Sequence, residues 1–244
     1  MMIRETQINC RKFLKALHSI SELRFIERTN MGEVEKYYAL TERAFNVLAP
    51  VYNWMTLPLV RVRDQVVDIV NKVDGSAVLD VATGTGQQAF AFAKRGYSVI
   101  GMDINESMLE IARKHNKDNL VNFQIGDATR LGFENNTFDI TCISFALHDM
   151  PLPIRQKVLQ EMARVAKPDG VIIIVEYDLP KNKVGRALMY RLITLYESEY
   201  YKQFIASDLE TLLGKTGIKI TVKRSALLGG VRILTGGKAN PSGQ

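Results

Sequence analysis

The sequence is poor in the residues that build disulfide frameworks, metal sites and membrane spans. Among 244 residues there are only two cysteines and three histidines, and nothing has the spacing of zinc ligands, so neither a disulfide framework nor a metal site is expected. No segment approaches the roughly 18 consecutive apolar residues of a transmembrane helix. The N-terminus has no apolar segment leading to a small-residue cleavage site, so secretion is not expected. We predict a protein of the reducing cytoplasm.

No charge-rich block or RGG tract accompanies the net charge of +6. Lys and Arg are scattered along the chain instead, which indicates an ordinary solvated basic surface and no nucleic-acid partner. The exception is a basic amphipathic pattern between residues 11 and 28. We favour a helix packed on the domain there. The alternative is a lid or a membrane-surface helix, which would allow a peripheral membrane contact.

Short β-branched runs alternate with amphipathic helical patterns from about Ala77 onward, which is typical of βαβ units and a parallel sheet. The expected parallel strands lie at residues 77–79, 97–100, 121–125, 138–143 and 171–175. After Gly217, residues 218–222 alternate with period two and residues 231–234 follow a glycine pair, which predicts an antiparallel hairpin. The predicted fold is therefore α/β: a doubly wound, mostly parallel seven-stranded sheet with a C-terminal antiparallel hairpin and an N-terminal helical extension.

Three regions follow from these patterns. Residues 1–70 would form the N-terminal helical extension or lid, residues 71–236 the sheet domain, and residues 237–244 a small, polar, disordered tail. Within the sheet domain, residues 180–206 are predicted to form a helical insert with leucines and tyrosines at helical spacing. We favour an ordinary core-facing stripe for this insert, and the alternative is a cap over an apolar or aromatic ligand.

The most informative stretch is a strand that runs into glycines. Residues 78–82 precede Gly84 and Gly86, and a helical pattern follows. Glycines let the backbone turn sharply and bring bare N–H groups close to a ligand, and open α/β sheets bind ligands at the carboxyl ends of their strands. Asp103 ends the next strand, where a carboxylate can accept hydrogen bonds from both hydroxyls of a ribose. Its alternative role is to cap the following helix.

Two further carboxylates bear on the kind of ligand. The stretch from Gly84 to Ala89 also fits the dinucleotide pattern G-x-G-x-x-G/A, so a nicotinamide-dependent oxidoreductase is a genuine alternative. Asp80, just before the glycines, would attract a cationic ligand and would sit poorly beside a pyrophosphate. Asp127 ends the third strand and is suited to accept a hydrogen bond from an adenine amino group.

Five motifs occur together in a characteristic order. They are Asp80-x-Ala82-x-Gly84-x-Gly86, Asp103, Gly126-Asp127-Ala128, Asn136-Thr137-Phe138-Asp139 and Leu159-x-Glu161-x-x-Arg164-Val165-x-Lys167-Pro168-x-Gly170. With this set the chain resembles class I S-adenosylmethionine-dependent methyltransferases, in the branch that includes the ubiquinone/menaquinone-biosynthesis (type 11) methyltransferases. The resemblance extends from about Glu42 to Thr235.

The resemblance implies S-adenosyl-L-methionine as the cofactor of a Rossmann-like methyltransferase domain. The loop 82–86 would wrap its methionine part with Asp80 near the amino group, Asp103 would hold the ribose, and Asp127 would flank the adenine. In the segment similar to the family's Tyr-Asp motif, Asn53 replaces the usual Asp. The predicted cofactor-binding residues are Tyr52, Asp80, Ala82, Thr83, Gly84, Gly86, Asp103, Ile104, Gly126, Asp127, Ala128 and Ser144.

The implied reaction is methyl transfer to a small-molecule or lipid-like acceptor. A sulfonium methyl is already electrophilic, so the protein mainly has to place the acceptor and exclude water. Where the acceptor must lose a proton, His148 after the fourth strand is the candidate base. The alternative is a histidine packed under the loop or bonded to Asp149. A non-catalytic protein that binds the cofactor as a partner or sensor also remains open.

Overall fold

The computed structural model describes residues 31–70, 74–179, 185–187 and 199–239. Helices α1 (Glu33–Met55) and α2 (Val60–Ile69) precede the sheet and are joined by a 3-10 turn (Leu57–Leu59). The elements that follow are β1 (Ala77–Val81), α3 (Gln87–Ala93), β2 (Ser98–Asp103), α4 (Glu106–His115), β3 (Val121–Ile125), β4 (Phe138–Ser144), a 3-10 turn (Leu147–Asp149), α5 (Leu152–Val165), β5 (Ala166–Tyr177), α6 (Glu199–Ala206), α7 (Leu209–Lys215), β6 (Ile218–Ala226), a 3-10 turn (Leu227–Gly229) and β7 (Val231–Lys238).

The seven strands form one sheet in the order β3-β2-β1-β4-β5-β7-β6. Strands β1 to β5 pair in parallel, whereas β7 is antiparallel to both β5 and β6. The predicted fold class is thereby confirmed. Because the chain leaves β1 in one direction toward β2 and later returns on its other side as β4, a crevice forms between the carboxyl ends of these strands.

Strand β7 is longer than predicted. It continues to Lys238, which pairs with Ile218 of β6. The predicted start of the disordered tail at residue 237 is therefore two residues too early, because backbone pairing with β6 orders residues whose composition alone does not favour a strand.

Strand residues alternate between two apolar layers. In β5, Ile172 and Ile174 face one layer while Ile173 and Val175 face the other, and none of them is more than 1% exposed. Helices α5, α6 and α7 cover the first face of the sheet, and α2, α3 and α4 cover the second. This cover on both faces explains why residues 171–175 of β5 are apolar throughout rather than alternating with polar residues.

Parts of the predicted extension and insert lie outside the described residues. These are the basic pattern between residues 11 and 28 and most of the insert at 180–206. Helix α6 is the end of that insert, and its Tyr200, Tyr201 and Phe204 are buried in the core, as the core-facing interpretation requires. Within the described ranges, no helix is long and apolar enough to cross a membrane, and no group of three or more His, Cys, Asp or Glu side chains is arranged to hold a metal ion.

Candidate functional site

A cleft opens at the carboxyl ends of β1 to β4, and α1 and α2 contribute one of its walls. Its empty space, including the part that opens to solvent, is about 1100 Å³. Most of the predicted cofactor-binding residues line it: Tyr52, Asp80, Ala82, Thr83, Gly84, Asp103, Ile104, Gly126, Asp127, Ala128 and Ser144. Gly86 is the one predicted cofactor-binding residue outside this lining. The structure thus brings residues from five separate sequence segments to one place.

The glycine loop depends on left-handed backbone angles. Ala82, Gly84 and Gly86 have φ values of +53°, +55° and +76°, a region that residues with a Cβ rarely adopt. A Cβ on Gly86 would lie 2.5 Å from Cζ of Phe123, whereas a Cβ on Gly84 would meet no atom within 4 Å. Gly86 is therefore required for packing against β3 rather than for contact with a ligand, and Gly84 leaves open space beside the cleft.

Asp80 is the most deeply buried of the three predicted carboxylates. It is 1% exposed, and its Oδ2 accepts a hydrogen bond of 2.6 Å from Oγ1 of Thr83. Burial raises the pKa of Asp80 from 3.8 to about 7, although the Thr83 hydrogen bond and the nearby Arg63 oppose this effect. A cationic ligand beside Asp80 would favour its ionised form.

Asp103 ties the glycine loop to the end of β2. Its Oδ2 accepts from the Gly84 amide at 2.7 Å, and its Oδ1 accepts from the Asn105 amide at 2.9 Å. The alternative interpretation of Asp103 as a helix cap is wrong, because α4 is capped by Asn105, whose Oδ1 accepts from the Met108 amide. Each Asp103 oxygen keeps acceptor capacity after these bonds, so the carboxylate can still bind hydroxyl groups. Burial raises its pKa as well.

Asp127 is held from both sides of the cleft. Its Oδ1 accepts from the amide and the hydroxyl of Thr129, both at 2.8 Å, and its Oδ2 accepts from the hydroxyl of Tyr38 at 2.9 Å. Tyr38 belongs to α1, whose role in the cleft the sequence analysis largely missed. A usable signal was present, because the α1 residues lining the cleft recur at helical spacing. They are Tyr37, Tyr38, Thr41, Phe45 and Tyr52.

Asn53 keeps a hydrogen-bond acceptor at the position where the similar family has Asp. Its Oδ1 accepts from Oγ1 of Thr85 at 2.6 Å, which joins α1 to the glycine loop. An amide oxygen accepts from a hydroxyl as a carboxylate does. Asn53 therefore offers Thr85 the same kind of acceptor that an Asp would offer at this position.

The opposite wall of the cleft is mostly apolar. It comes from the segment after β4 and from α5, and its residues are Phe145, Ala146, Asp149, Met150, Ile154 and Val158. Phe145 has a φ of +54°, a strained angle for a bulky residue. Asp149 is the charged residue of this wall. An apolar wall with one carboxylate suits a largely apolar molecule that carries a single polar group.

His148, the predicted catalytic base, is not among the residues that line the cleft. It is 2% exposed, its Nδ1 lies 2.8 Å from Oε2 of Glu176, and its ring packs on Tyr177 with centroids 4.8 Å apart. A direct role as base does not fit this placement, because a molecule in the cleft has no open path to the imidazole. The residue that faces the cleft is its neighbour Asp149, whose Oδ2 lies 3.5 Å from Nε2.

Comparison with known proteins gives consistent similarities. Residues 78–170 match a family model described as a methyltransferase domain. A demethylmenaquinone methyltransferase of Renibacterium salmoninarum is 41% identical over 120 residues, which cover 49% of this chain and 49% of that protein. A ubiquinone/menaquinone biosynthesis C-methyltransferase of Ruegeria sp. is 30% identical over 193 residues, 76% of this chain and 74% of the relative.

A solved structure extends the similarity to nearly the whole chain. An O-methyltransferase family protein from Burkholderia thailandensis matches with a TM-score of 0.68, covering 96% of this chain and 72% of that one. Its sequence identity is 19%, so this likeness shows the fold alone.

The fold, the motifs and these similarities place the chain among the class I S-adenosylmethionine-dependent methyltransferases. Within that class it belongs to the family of the ubiquinone/menaquinone-biosynthesis C-methyltransferases, which confirms the resemblance seen in the motifs. The chain spans 49%, 63% and 45% of the lengths of three demethylmenaquinone methyltransferases that it matches.

Proposed function

We propose that this protein transfers a methyl group from S-adenosyl-L-methionine to a small, lipid-like aromatic acceptor of the quinol type. The observation that carries the proposal is the convergence of Asp80, Asp103 and Asp127 on one cleft. They lie at or just after the carboxyl ends of three neighbouring strands, β1, β2 and β3, and an apolar wall lines the same cleft.

The three carboxylates suit the parts of this cofactor in turn. Asp80 would gain a counter-ion from the amino group, Asp103 has acceptor capacity for the two ribose hydroxyls, and Asp127 with the Ala128 backbone would flank the adenine. The open space beside Gly84 leaves room for the methionine part. When bound, the cofactor supplies an electrophilic methyl group on a sulfonium. The residues of this chain then have to hold the acceptor in line and exclude water.

The charge of Asp80 argues against a nicotinamide dinucleotide. Its two phosphates would lie at the glycine loop, where an ionised Asp80 would repel them. Asp103 suits both cofactors, because a dinucleotide also places a ribose beside the carboxylate that ends the second strand. Arg63 also lines the cleft, but its positive charge already faces Asp80. A sulfonium ligand with an amino group matches this local charge, and a diphosphate does not.

The acceptor class rests on the apolar wall and on the relatives. Phe145, Met150 and Ile154 would contact an apolar ring, and each CH₂ group removed from water contributes about 0.8 kcal/mol. Two of the similar proteins are named for demethylmenaquinone and for ubiquinone/menaquinone biosynthesis. A reduced quinone combines the apolar ring with the polar hydroxyl that this wall can hold.

Calorimetric titration with S-adenosylhomocysteine tests the cofactor half of the proposal. Asp103→Ala should weaken binding by roughly 1.5–3 kcal/mol, about 10- to 150-fold, because charge-assisted hydrogen bonds are lost. The matched control is Asp118→Ala, an exposed residue before the amino end of β3, whereas the cleft lies at the carboxyl ends of the strands. This variant should bind like the unmodified protein. Unchanged affinity in Asp103→Ala would remove Asp103 from the site, and binding of NADH would restore the oxidoreductase alternative.

A turnover assay tests the acceptor half. The protein is incubated with S-adenosylmethionine and, separately, with dithionite-reduced short-chain demethylmenaquinone, phenols, amines and extracted lipids, and products are identified by mass spectrometry. We expect a methylated product from the quinol. Cofactor binding without product from any pool would favour the non-catalytic partner or sensor instead.

A further inference from the structure

Two neighbouring ionisable residues in the turn between β4 and α5 differ in exposure: Asp149 faces the cleft, and His148, which precedes it, is buried. The Asp149 side chain is 25% exposed and lines the cleft, whereas that of His148 is 3% exposed. The two are neighbours in sequence and lie 3.5 Å apart, from Nε2 of His148 to Oδ2 of Asp149. An acceptor molecule in the cleft can therefore reach the carboxylate but not the imidazole behind it.

Glu176, near the end of β5, holds this turn in place through three contacts. The side chain is fully buried. Its Oε1 accepts from the amides of Ala146 and Leu147 at 3.0 and 2.7 Å, and its Oε2 lies 2.8 Å from Nδ1 of His148. Arg155 holds the other side of the turn through hydrogen bonds of 2.9 and 2.8 Å to the carbonyls of Leu147 and Met150. Backbone and imidazole are thus held together as one unit.

The contact with Glu176 determines where His148 carries its proton. A carboxylate oxygen can only accept, so the short contact places a hydrogen on Nδ1. In a neutral imidazole Nε2 then presents its lone pair to an oxygen of Asp149, an arrangement that is repulsive until a proton lies between the two atoms. Rings of Tyr177, Tyr201 and Phe204 surround the imidazole at centroid distances of 4.8, 6.1 and 6.3 Å and keep it in this orientation.

Asp149 also lies close to the cofactor side of the cleft. Tyr37 of α1 lines the cleft and is 7% exposed. Burial raises the pKa of Tyr37 above its usual value, and the charges of Asp149 and Asp103 add to the effect. Both carboxylates therefore act on the same phenol, and Asp149, Asp103 and Tyr37 line the same cleft.

The geometry points to Asp149 as the catalytic residue that takes the acceptor's hydroxyl proton, with His148 and Glu176 as positioning residues that share and stabilise that proton. This inference rests on the proposed function and names the proton acceptor for it. It replaces His148 as the group in direct contact with the acceptor. The order carboxylate–imidazole–carboxylate has the logic of a catalytic triad, in which the innermost carboxylate orients the ring and stabilises its charged form.

The step balances in protons and electrons. The acceptor's O–H bond breaks, its proton binds between Asp149 and His148, and its electron pair becomes available to the attacking ring carbon. A new bond forms from that carbon to the methyl group as the methyl–sulfur bond breaks, and the pair of the broken bond stays on sulfur. The ring then loses the proton of the methylated carbon and recovers its hydroxyl proton, so one proton leaves to solvent for each methyl gained.

Kinetics of isosteric variants test the assignment. With dithionite-reduced short-chain demethylmenaquinone as the acceptor, Asp149→Asn should lower kcat about 100-fold or more and change KM and the affinity for S-adenosylhomocysteine by less than about threefold. Glu176→Gln should lower kcat roughly tenfold or more, because a neutral amide cannot stabilise the imidazolium. The exposed Asp118→Asn is the matched control and should behave like the unmodified protein. A kcat within twofold of normal in Asp149→Asn would overturn the proposal.

Nuclear magnetic resonance of the histidine nitrogens gives a readout that requires no turnover. The chain has three histidines, and a His148→Gln variant identifies the signals of His148. The unmodified protein should carry the proton on Nδ1. In Glu176→Gln the amide NH₂ would face Nδ1, so the proton should move to Nε2. A proton on Nε2 alone in the unmodified protein would contradict the relay.

The two proposals fail in different ways. If the unmodified protein neither binds S-adenosylhomocysteine nor methylates any acceptor pool, the proposed function is wrong, and the nitrogen spectra still decide the state of His148. If the unmodified protein methylates the quinol and Asp149→Asn does so equally well, only the proton-transfer assignment is wrong.

Discussion

The buried carboxyl group of Asp80 allows the electrostatics of the site to be tested through the stability of the fold. Burial raises its pKa to about 7, from 3.8 in the unfolded chain. The folded state thus binds this proton more tightly, so the stability that the group contributes is complete below pH 4 and is lost as the pH rises through 7. The whole loss is about 4 kcal/mol, of which about 3 kcal/mol falls between pH 5 and pH 8.

The substitution Asp80→Asn removes this ionisation and keeps the shape. The amide oxygen can still accept from Thr83, as the carboxylate does at 2.6 Å. Urea unfolding of both proteins at pH 5 and pH 8 gives four free energies of unfolding. Their double difference should be about 3 kcal/mol, with the variant gaining stability relative to the unmodified protein at pH 8. The exposed Asp118→Asn should show no such difference.

The same substitution should weaken the site while it stabilises the fold. If Asp80 binds the cofactor's amino group, the affinity for S-adenosylhomocysteine should increase as the pH is raised toward 7, by up to about tenfold per pH unit. The reason is that only the ionised carboxylate attracts the ammonium. Asp80→Asn should bind more weakly and lose this pH dependence. Identical pH dependence of stability in the two proteins would refute the reasoning, since Asp80 would then ionise in the folded state with its ordinary pKa.

Two further predictions concern the frame of the site. Gly86→Ala should lower the free energy of unfolding by about 2–3 kcal/mol and Gly84→Ala by about 1 kcal/mol, measured by urea titration. Both glycines have positive φ, but only at Gly86 would the new methyl group clash with Phe123. Equal losses of unfolding free energy in the two variants would therefore contradict the role of Gly86 in packing against Phe123. Arg164→Lys should cost about 1–2 kcal/mol, because Arg164 binds both Glu161 oxygens at 2.7 and 2.8 Å and an ammonium cannot form this fork. An unchanged free energy of unfolding in Arg164→Lys would show that the paired hydrogen bonds to Glu161 do not stabilise the fold.

Local rules were sufficient to predict the sheet and the three carboxylates. Apolar runs give strands, a pair of glycines gives the tight loop, and Asp80, Asp103 and Asp127 each stand at or just beside a strand end, where parallel strands place them along one edge. Each of these inferences uses residues close together in the chain.

The parts that could not be predicted depend on contacts between distant residues. His148 is held by Glu176, 28 positions away, and Tyr38 bonds Asp127, 89 positions away. A histidine after a strand has the same local sequence whether its ring enters the cleft or lies beneath the loop. The buried partner decides between the two, and nothing near residue 148 reveals it.

The course of α1 across the sheet explains why the extension and the loops at the carboxyl ends of β1, β2 and β3 must be considered as one site. Tyr38 bonds Asp127 after β3, Asn46 bonds the cap of α4 after β2 at 3.0 Å, and Asn53 bonds the glycine loop after β1 at 2.6 Å. Along the helix these contacts follow the spatial order β3-β2-β1. The segments next to Asp80, Asp103 and Asp127 are thus each joined to α1 by at least one hydrogen bond. A division of the chain at residue 70 separates two sequence patterns, but the cleft is built from both sides of it.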